Sequence, residues 1–240
     1  MTMTRRELLF DGNEKQVYAT DDDKLVIFRF KDEITAYNNV KRAKLKDKGI
    51  ITNAVSSLLF EYLKDRGVDT HFVERIGERE QLCRKICIIP LELIVRNRVA
   101  GTEAMRLGLP EGSEPASVIL NLRYNNDTLG DPLINDTEAC ALGIATPADL
   151  KVVYSTGLRI NTLLKDLFAR AGIILADFKL EFGRACDGSI IVSDEISPDT
   201  SRLWDAQTLE KLDKDRFRLD LGDVADSYKK VYERLKAAVK

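Results

Sequence analysis

The order of three kinds of segment predicts an α+β fold. Residues 15–30 hold two β-rich runs flanking an acidic turn, two later stretches repeat apolar residues at helical spacing, and residues 177–182 alternate charged and apolar side chains ahead of an Asp-Gly pair. The chain therefore runs β-hairpin, helix, strands, long helix, hairpin, terminal helix. In that order an N-terminal sheet and a C-terminal half enclose a cleft.

Lys15–Thr20 and Lys24–Phe30 are rich in β-formers, and Asp21-Asp22-Asp23 joins them as an antiparallel hairpin. Asp11-Gly12-Asn13-Glu14-Lys15 stands just before it. A helix is expected near residues 52–66, where Val55, Leu58, Leu59, Tyr62 and Leu63 recur at helical spacing and Gly67 supplies the stop. Leu82–Ile88 and Leu91–Val99 are two strand candidates separated by Pro90, and the least committed place to divide the chain lies there, between lobes of residues 1–86 and 87–240. Residues 108–132 are rich in Gly, Pro, Asn and Asp, so they read as loop with short strands. Thr146-Pro147-Ala148-Asp149 supplies a capping hydroxyl, a Pro at the first helical position and an acid two residues further on. The helix it opens ends at Gly172 and buries Leu150, Val153, Leu158, Leu164, Leu167 and Phe168. Asp223 is expected to cap a final helix with Val224, Tyr228, Val231 and Leu235 inward.

With 240 residues and 44% hydrophobic content, the chain has enough for a substantial core, which excludes a disordered or small disulfide-stapled protein. The net charge is −2 with both signs interspersed, and nothing points to nucleic acid as the main partner. Cys83, Cys87, Cys140 and Cys186 contain no C-x-x-C pair, which favours reduced thiols in the cytoplasm. The N-terminal MTMTRRELLF lacks the apolar segment of a signal peptide, and no run approaches the ~20 apolar residues of a membrane span. No membrane partner is expected. His71 is the only histidine, which excludes a multi-His metal site; a structural or surface role is expected for it.

Asp187-Gly188 signals a two-residue type I′ turn, whose central positions both need positive φ. With that loop, Cys186 pairs with Ser189, Gly183 with Val192, and Glu181 with Asp194, which sets the two carboxylates' Cβ atoms ~4.5–5.5 Å apart on one face. Like charges at that spacing repel. The pair predicts a bound divalent cation, Mg²⁺ where phosphates are present, and a gain in metal-free stability when one acid is neutralised. Phe178, Leu180 and Phe182 point one way and Asp177, Lys179 and Glu181 the other; a solvated salt-bridge ladder is the alternative reading of that charged face. The same register sets Glu195 against Leu180 on the apolar side, which a bulge near Ser193 would relieve.

In Ile88–Thr102, IIPLELIVRNRVAGT, Arg96 and Arg98 share a face by period two and make a forked cationic surface suited to phosphate or carboxylate. Ordinary solubilising arginines are the alternative. Trp204 is the only tryptophan and is expected to pack beneath its loop.

Taken together, IIPLELIVRNRVAGT, LADFKLEFG and DEISPDTSRLWD closely resemble the SAICAR synthetase family, nearly end to end. The glycine loop, KDKG at Lys46–Gly49, GDPL at Gly130–Leu133, LDKDRFR at Leu212–Arg218 and RLDLGD at Arg218–Asp223 fall where that family has them. The resemblance implies a fold related to ATP-grasp proteins and kinases, with an N-terminal antiparallel β lobe, a central α/β nucleotide-binding lobe and a C-terminal helix. It implies an ATP-dependent ligase of purine biosynthesis that uses ATP and Mg²⁺ to join L-aspartate to carboxyaminoimidazole ribonucleotide (CAIR) through a carboxyl phosphate. A homodimer is expected on the same ground.

By the same resemblance, Gly12 and Lys15 lie over the ATP phosphates, backbone at Lys85 and Ile86 meets the adenine, and Glu181 and Asp194 hold the metal, Asp194 also serving the nucleotide. Asp177 and Lys179 line the reacting centre. Arg96, Arg98, Thr102, Asp199, Ser201, Arg202 and Arg218 take the ribonucleotide. Asn13 and Asn125 stand where many relatives have lysine, which puts one phosphate or ribose contact at each in question. A small-molecule kinase is the alternative, because D-x-K followed by a metal-binding acid also occurs in kinase-like sites.

Overall fold

A computed structural model describes residues 4–37 and 39–240, so the first three residues of the N-terminal segment and Asn38 lie outside the described residues. Strands β1 (Leu8–Asp11), β2 (Lys15–Ala19) and β3 (Leu25–Phe30) form an antiparallel meander, and β4 (Glu33–Ala36) and β5 (Lys41–Lys44) a separate hairpin. Helix α1 (Lys48–Lys64) leads into β6 (Phe72–Arg75) and β7 (Glu80–Arg84), which complete a first sheet of order β1-β2-β3-β7-β6.

The chain then enters a second sheet with β8 (Cys87–Arg96), α2 (Thr102–Leu107), β9 (Ile119–Tyr124), β10 (Leu133–Ile134), α3 (Asp136–Ala141) and α4 (Pro147–Arg170). Strands β11 (Ile173–Arg184), β12 (Ile190–Ser193) and β13 (Ser201–Asp205) follow, then α5 (Asp215–Arg218) and α6 (Val224–Ala238). Its order is β10-β9-β8-β11-β12, with β13 sharing the outer edge of β11.

Phe178, Leu180 and Phe182 of β11, with Leu91, Leu93 and Val95 of β8, pack in one core with residues of α1, α4 and α6. Each such fully buried side chain contributes roughly 1.5–3 kcal/mol. Helices thus cover one face of the second sheet and leave the charged face of β11 to a cleft. Helix α4 sits directly on β8: a Cβ at Gly157 would fall 2.4 Å from Leu93 Cδ2. Its predicted start is present, with the Thr146 hydroxyl accepting from Asp149 N–H and the Asp149 carboxylate from Thr146 N–H.

Several local expectations are corrected. Helix α1 begins at Lys48, ahead of residue 52, because Asp47 turns into the left-handed region and Lys48–Ile51 complete another turn. Leu158 on α4 is 42% exposed, since Gly157 and not its neighbour faces β8. Pro90 does not separate two strands; β8 runs through it, accommodating it at a register shift between the Glu92–Glu181 and Ile89–Phe182 pairs. Asp223 precedes the last helix with φ 48° and makes no side-chain cap bond.

The β11–β12 turn is one residue longer than predicted. Ala185 N–H donates to Ser189 O at 2.9 Å, and Gly188 alone in the turn has positive φ, 84°. Asp187 Oδ1 takes the Ser189 N–H at 2.9 Å and its hydroxyl at 2.6 Å, a local bond that favours a three-residue loop with glycine in the left-handed position over a type I′ turn. Pairing therefore shifts: Gly183 faces Ile191, and Glu181 faces Ser193 rather than Asp194.

Candidate active site

A cleft of ≈1100 Å³ lies between the sheets, and of the catalytic, nucleotide-, substrate- and metal-binding candidates all but Arg98 line it. Lys85 and Ile86 join β7 to β8 at its edge. Lys85 N–H is committed to Lys24 O at 2.7 Å, while the Lys85 carbonyl and Ile86 N–H have no backbone partner among the described residues. A base edge needs such a free acceptor and donor. Gly12 closes the β1–β2 turn with its N–H on Lys15 O at 2.8 Å, and a Cβ there would meet the Phe10 ring at 2.8 Å.

The acidic centre differs from a bare carboxylate pair. Lys15 Nζ bonds Asp194 and lies 2.8 Å from Glu195 Oε1, and Lys179 Nζ lies 2.7 Å from Glu92 Oε1 and 2.8 Å from Glu181 Oε1. Burial alone would lower the pKa of Lys15 and of Lys179; the facing carboxylates outweigh it and hold both above the normal lysine value. Asp194 lies past the end of β12 with φ 65°, a left-handed turn that brings its carboxylate back to Lys15 despite the shifted register. Glu195 does not meet the apolar face either: its carboxylate is shared by Lys15 and Ser197 Oγ, the latter at 2.6 Å.

Beside this cluster Asp177 is clasped by two guanidiniums. Arg96 Nη1 lies 2.6 Å and Arg202 Nη1 3.0 Å from Asp177 Oδ2. Arg202 Nε also bonds Asp215 Oδ2 at 2.8 Å, and Asp215 in turn holds Arg218. Burial lowers the pKa of Arg96, whereas at Arg202 Asp177 and Asp215 outweigh the same downward push and raise it. Ser201 Oγ is buried at the cleft without a partner among the described residues, and Thr102, which opens α2, lines the same cleft. Gly101 has φ 60°, and a Cβ there would fall 2.5 Å from Arg202 Nη2.

Arg98 stands apart. Ala176 O receives both Asn97 and Arg98 N–H, at 2.8 and 2.9 Å, a bulge that breaks the period-two alternation after Arg96. Arg98 then bonds Gly112 O and Glu114, so Arg202 takes its place as the second arm of the fork.

Sequence reasoning missed a layer beneath the cleft. Asp199, expected to take the ribonucleotide, instead turns its carboxylate into this layer, 2.5 Å from the buried Lys48 Nζ and 2.6 Å from Tyr228 Oη, and burial raises its pKa. Glu14 meets Lys48 and Lys214; against the upward push of burial they hold it at about 2. KDKG had flagged Lys48 only as a motif. Glu92 was legible, because Glu92, Ile94 and Arg96 share one face of β8 by the same alternation that selected Arg96. His71 is fully buried, and burial drives its pKa down to about 4, so the ring is neutral.

The donor set fits Mg²⁺. Glu92, Glu181, Asp194 and Glu195 carry four negative charges against two on Lys15 and Lys179, leaving an all-oxygen site with two negative charges in excess. No group of three or more His, Cys, Asp or Glu has metal-binding spacing among the described residues, but Mg²⁺ beside phosphates takes one or two carboxylates and fills its shell with phosphate oxygens and water.

The model of the family described as SAICAR synthetase matches residues 8–235. A phosphoribosylaminoimidazole-succinocarboxamide synthase of Clostridium beijerinckii is 52% identical over 97% of this chain and 99% of its own length. Among solved structures, a phosphoribosylaminoimidazole-succinocarboxamide synthase from Ehrlichia chaffeensis superimposes with TM-score 0.94 at 42% identity, covering 96% of this chain and 99% of that one. A SAICAR synthetase in complex with ADP does so with TM-score 0.93 at 44% identity, covering 96% and 98%. Agreement of this extent in sequence and in fold leaves one conclusion: the chain belongs to the SAICAR synthetase family.

Proposed function

We propose that this chain condenses CAIR with L-aspartate at the expense of ATP, giving SAICAR, ADP and phosphate in purine biosynthesis. One observation carries the reading. The charged face of β11 presents Asp177, clasped by Arg96 and Arg202, two residues from Lys179 and four from Glu181, so an anion-binding fork and a phosphoryl-transfer centre adjoin on one strand.

A CAIR carboxylate oxygen attacks the γ-phosphorus of ATP, and the bond from phosphorus to the ADP oxygen breaks. The aspartate amine then attacks the activated carbon, its nitrogen loses a proton, and phosphate leaves with a former carboxylate oxygen. Arg96 and Arg202 hold the anionic ribonucleotide, with Thr102, Ser201 and Arg218 beside them, and Asp177 keeps the two guanidiniums in place. Lys15 and Lys179 set positive charge around the transferring group, which is the main task in phosphoryl transfer. Mg²⁺ held by Glu181 and Asp194 would neutralise phosphate charge. Residues 1–86 act as the lobe over ATP and residues 87–240 as the lobe for metal and substrate, with adenine at Lys85 and Ile86. Free thiols at Cys83, Cys87, Cys140 and Cys186 suit a cytoplasmic setting.

Incubation with ATP, Mg²⁺, aspartate and CAIR tests the reading: phosphate release that needs both co-substrates is expected. ADP formation with a stable phosphorylated hydroxyl would instead establish the kinase. Arg96→Lys and Arg202→Lys should each raise the KM for CAIR by about 10-fold or more and move that for ATP little, because lysine keeps charge but loses the two-pronged contact. Equal loss for ATP would assign the arginines to the nucleotide. Gly101→Ala should mimic Arg202→Lys, since its methyl group both strains a left-handed backbone and displaces the guanidinium. Unchanged CAIR kinetics in that variant would show that Arg202 need not occupy this position.

A further inference from the structure

The only histidine lies where the two sheets meet. His71 N–H donates to Val192 O of β12 at 2.8 Å, and its carbonyl accepts from Arg84 N–H of β7 at 2.7 Å. Its ring stands edge-on to Phe28 and Phe60, with centroids 5.0 and 5.5 Å away. Nε2 lies 3.0 Å from the main-chain oxygen of Asp194. A carbonyl has no proton to give, so Nε2 carries the hydrogen and donates; Nδ1 is buried without a partner among the described residues.

Asp194 needs such a restraint. A non-glycine residue at φ 65° opposes the ordinary preference of an L side chain, and extended backbone there would carry its carboxylate to the opposite side of β12 from Ser193, away from Glu181. We infer that His71 is a positioning residue for the metal centre: its Nε2–H pins the Asp194 carbonyl, holds the left-handed turn, and so points the Asp194 carboxylate into the cleft. Because the His71 backbone is bonded to both sheets, the same contact ties the metal carboxylate to the sheet that covers the nucleotide. This inference rests on the reading of Asp194 as a metal ligand.

The test compares His71→Gln with His71→Met, side chains of similar length of which only glutamine can donate, and His71→Phe, which keeps a ring between Phe28 and Phe60. Binding of Mn²⁺ with ADP is measured by electron paramagnetic resonance, alongside melting temperature. The expected result is affinity about 10-fold weaker in the Met and Phe variants and recovery to within about 3-fold of the parent in Gln, the scale of one buried hydrogen bond. Asp194→Asn serves as the control. If Asp194→Asn weakens Mn²⁺·ADP binding but the Gln, Met and Phe variants all match the parent or one another, the role of His71 is overturned. Should Asp194→Asn itself bind normally, the metal-ligand reading fails and this inference with it.

Discussion

Glu181→Gln and Asp194→Asn are each expected to reduce turnover on the order of 10²–10³-fold with the fold intact, the scale of removing one preorganised charge-stabilising group. The physical reason is local. Each acid contributes to the two-charge excess that suits Mg²⁺, and an amide keeps the shape but not the charge. Metal-free stability is not expected to rise, contrary to what a bare, repelling pair implies. Lys179 stays with Glu92 when Glu181 is neutralised, and Lys15 stays with Glu195 when Asp194 is. Removing either acid therefore gives up a direct ion pair, which offsets the repulsion it relieves. Mg²⁺-nucleotide affinity equal to the parent's in both variants would sink the site.

Lys15→Met is expected to slow turnover by ~10²-fold or more and to destabilise the protein as well. Its ammonium is the shared partner of Asp194 and Glu195, and the Glu195 side chain is only 2% exposed. Breaking a buried pair by deleting one member leaves an uncompensated charge and costs about 3–5 kcal/mol. Added Mg²⁺ should recover part of the lost melting temperature in this variant, since it replaces the missing positive charge. The same variant probes the chemistry when CAIR carries ¹⁸O in its carboxylate. Parent enzyme should deliver one label to inorganic phosphate per amide formed, and the variant should do so more slowly. Unlabelled phosphate from active enzyme would rule out the carboxyl phosphate, whereas a fully active Lys15 variant would show that the glycine-loop lysine has no such role.

The sequence by itself determined most of the framework. Alternation in LADFKLEFG separates Phe178, Leu180 and Phe182 from Asp177, Lys179 and Glu181, because side chains along a strand must alternate. The Thr146 capping box, Gly172 and the apolar stripe of the last helix likewise follow from local rules. What failed was counting across irregularities. One extra turn residue shifted the β11–β12 register, and a bulge at Ala176 removed Arg98 from the face it should share with Arg96. At both places local hydrogen bonds compete with regular pairing, and periodicity carries no record of them.

Tertiary structure alone decided the partners of the charges. Lys48 against Asp199, Lys15 against Asp194 and Glu195, and Asp177 between Arg96 and Arg202 join segments far apart in the chain. Charge pairing depends on distance in space and on how much water remains between the groups, and neither is written in local sequence. The sequence could name several acids and cations of the cleft, among them Lys15, Asp177, Lys179, Glu181 and Asp194. Only the packing of the two sheets set which of them touch, and Asp194 meets Lys15 through a left-handed turn after its strand register has moved.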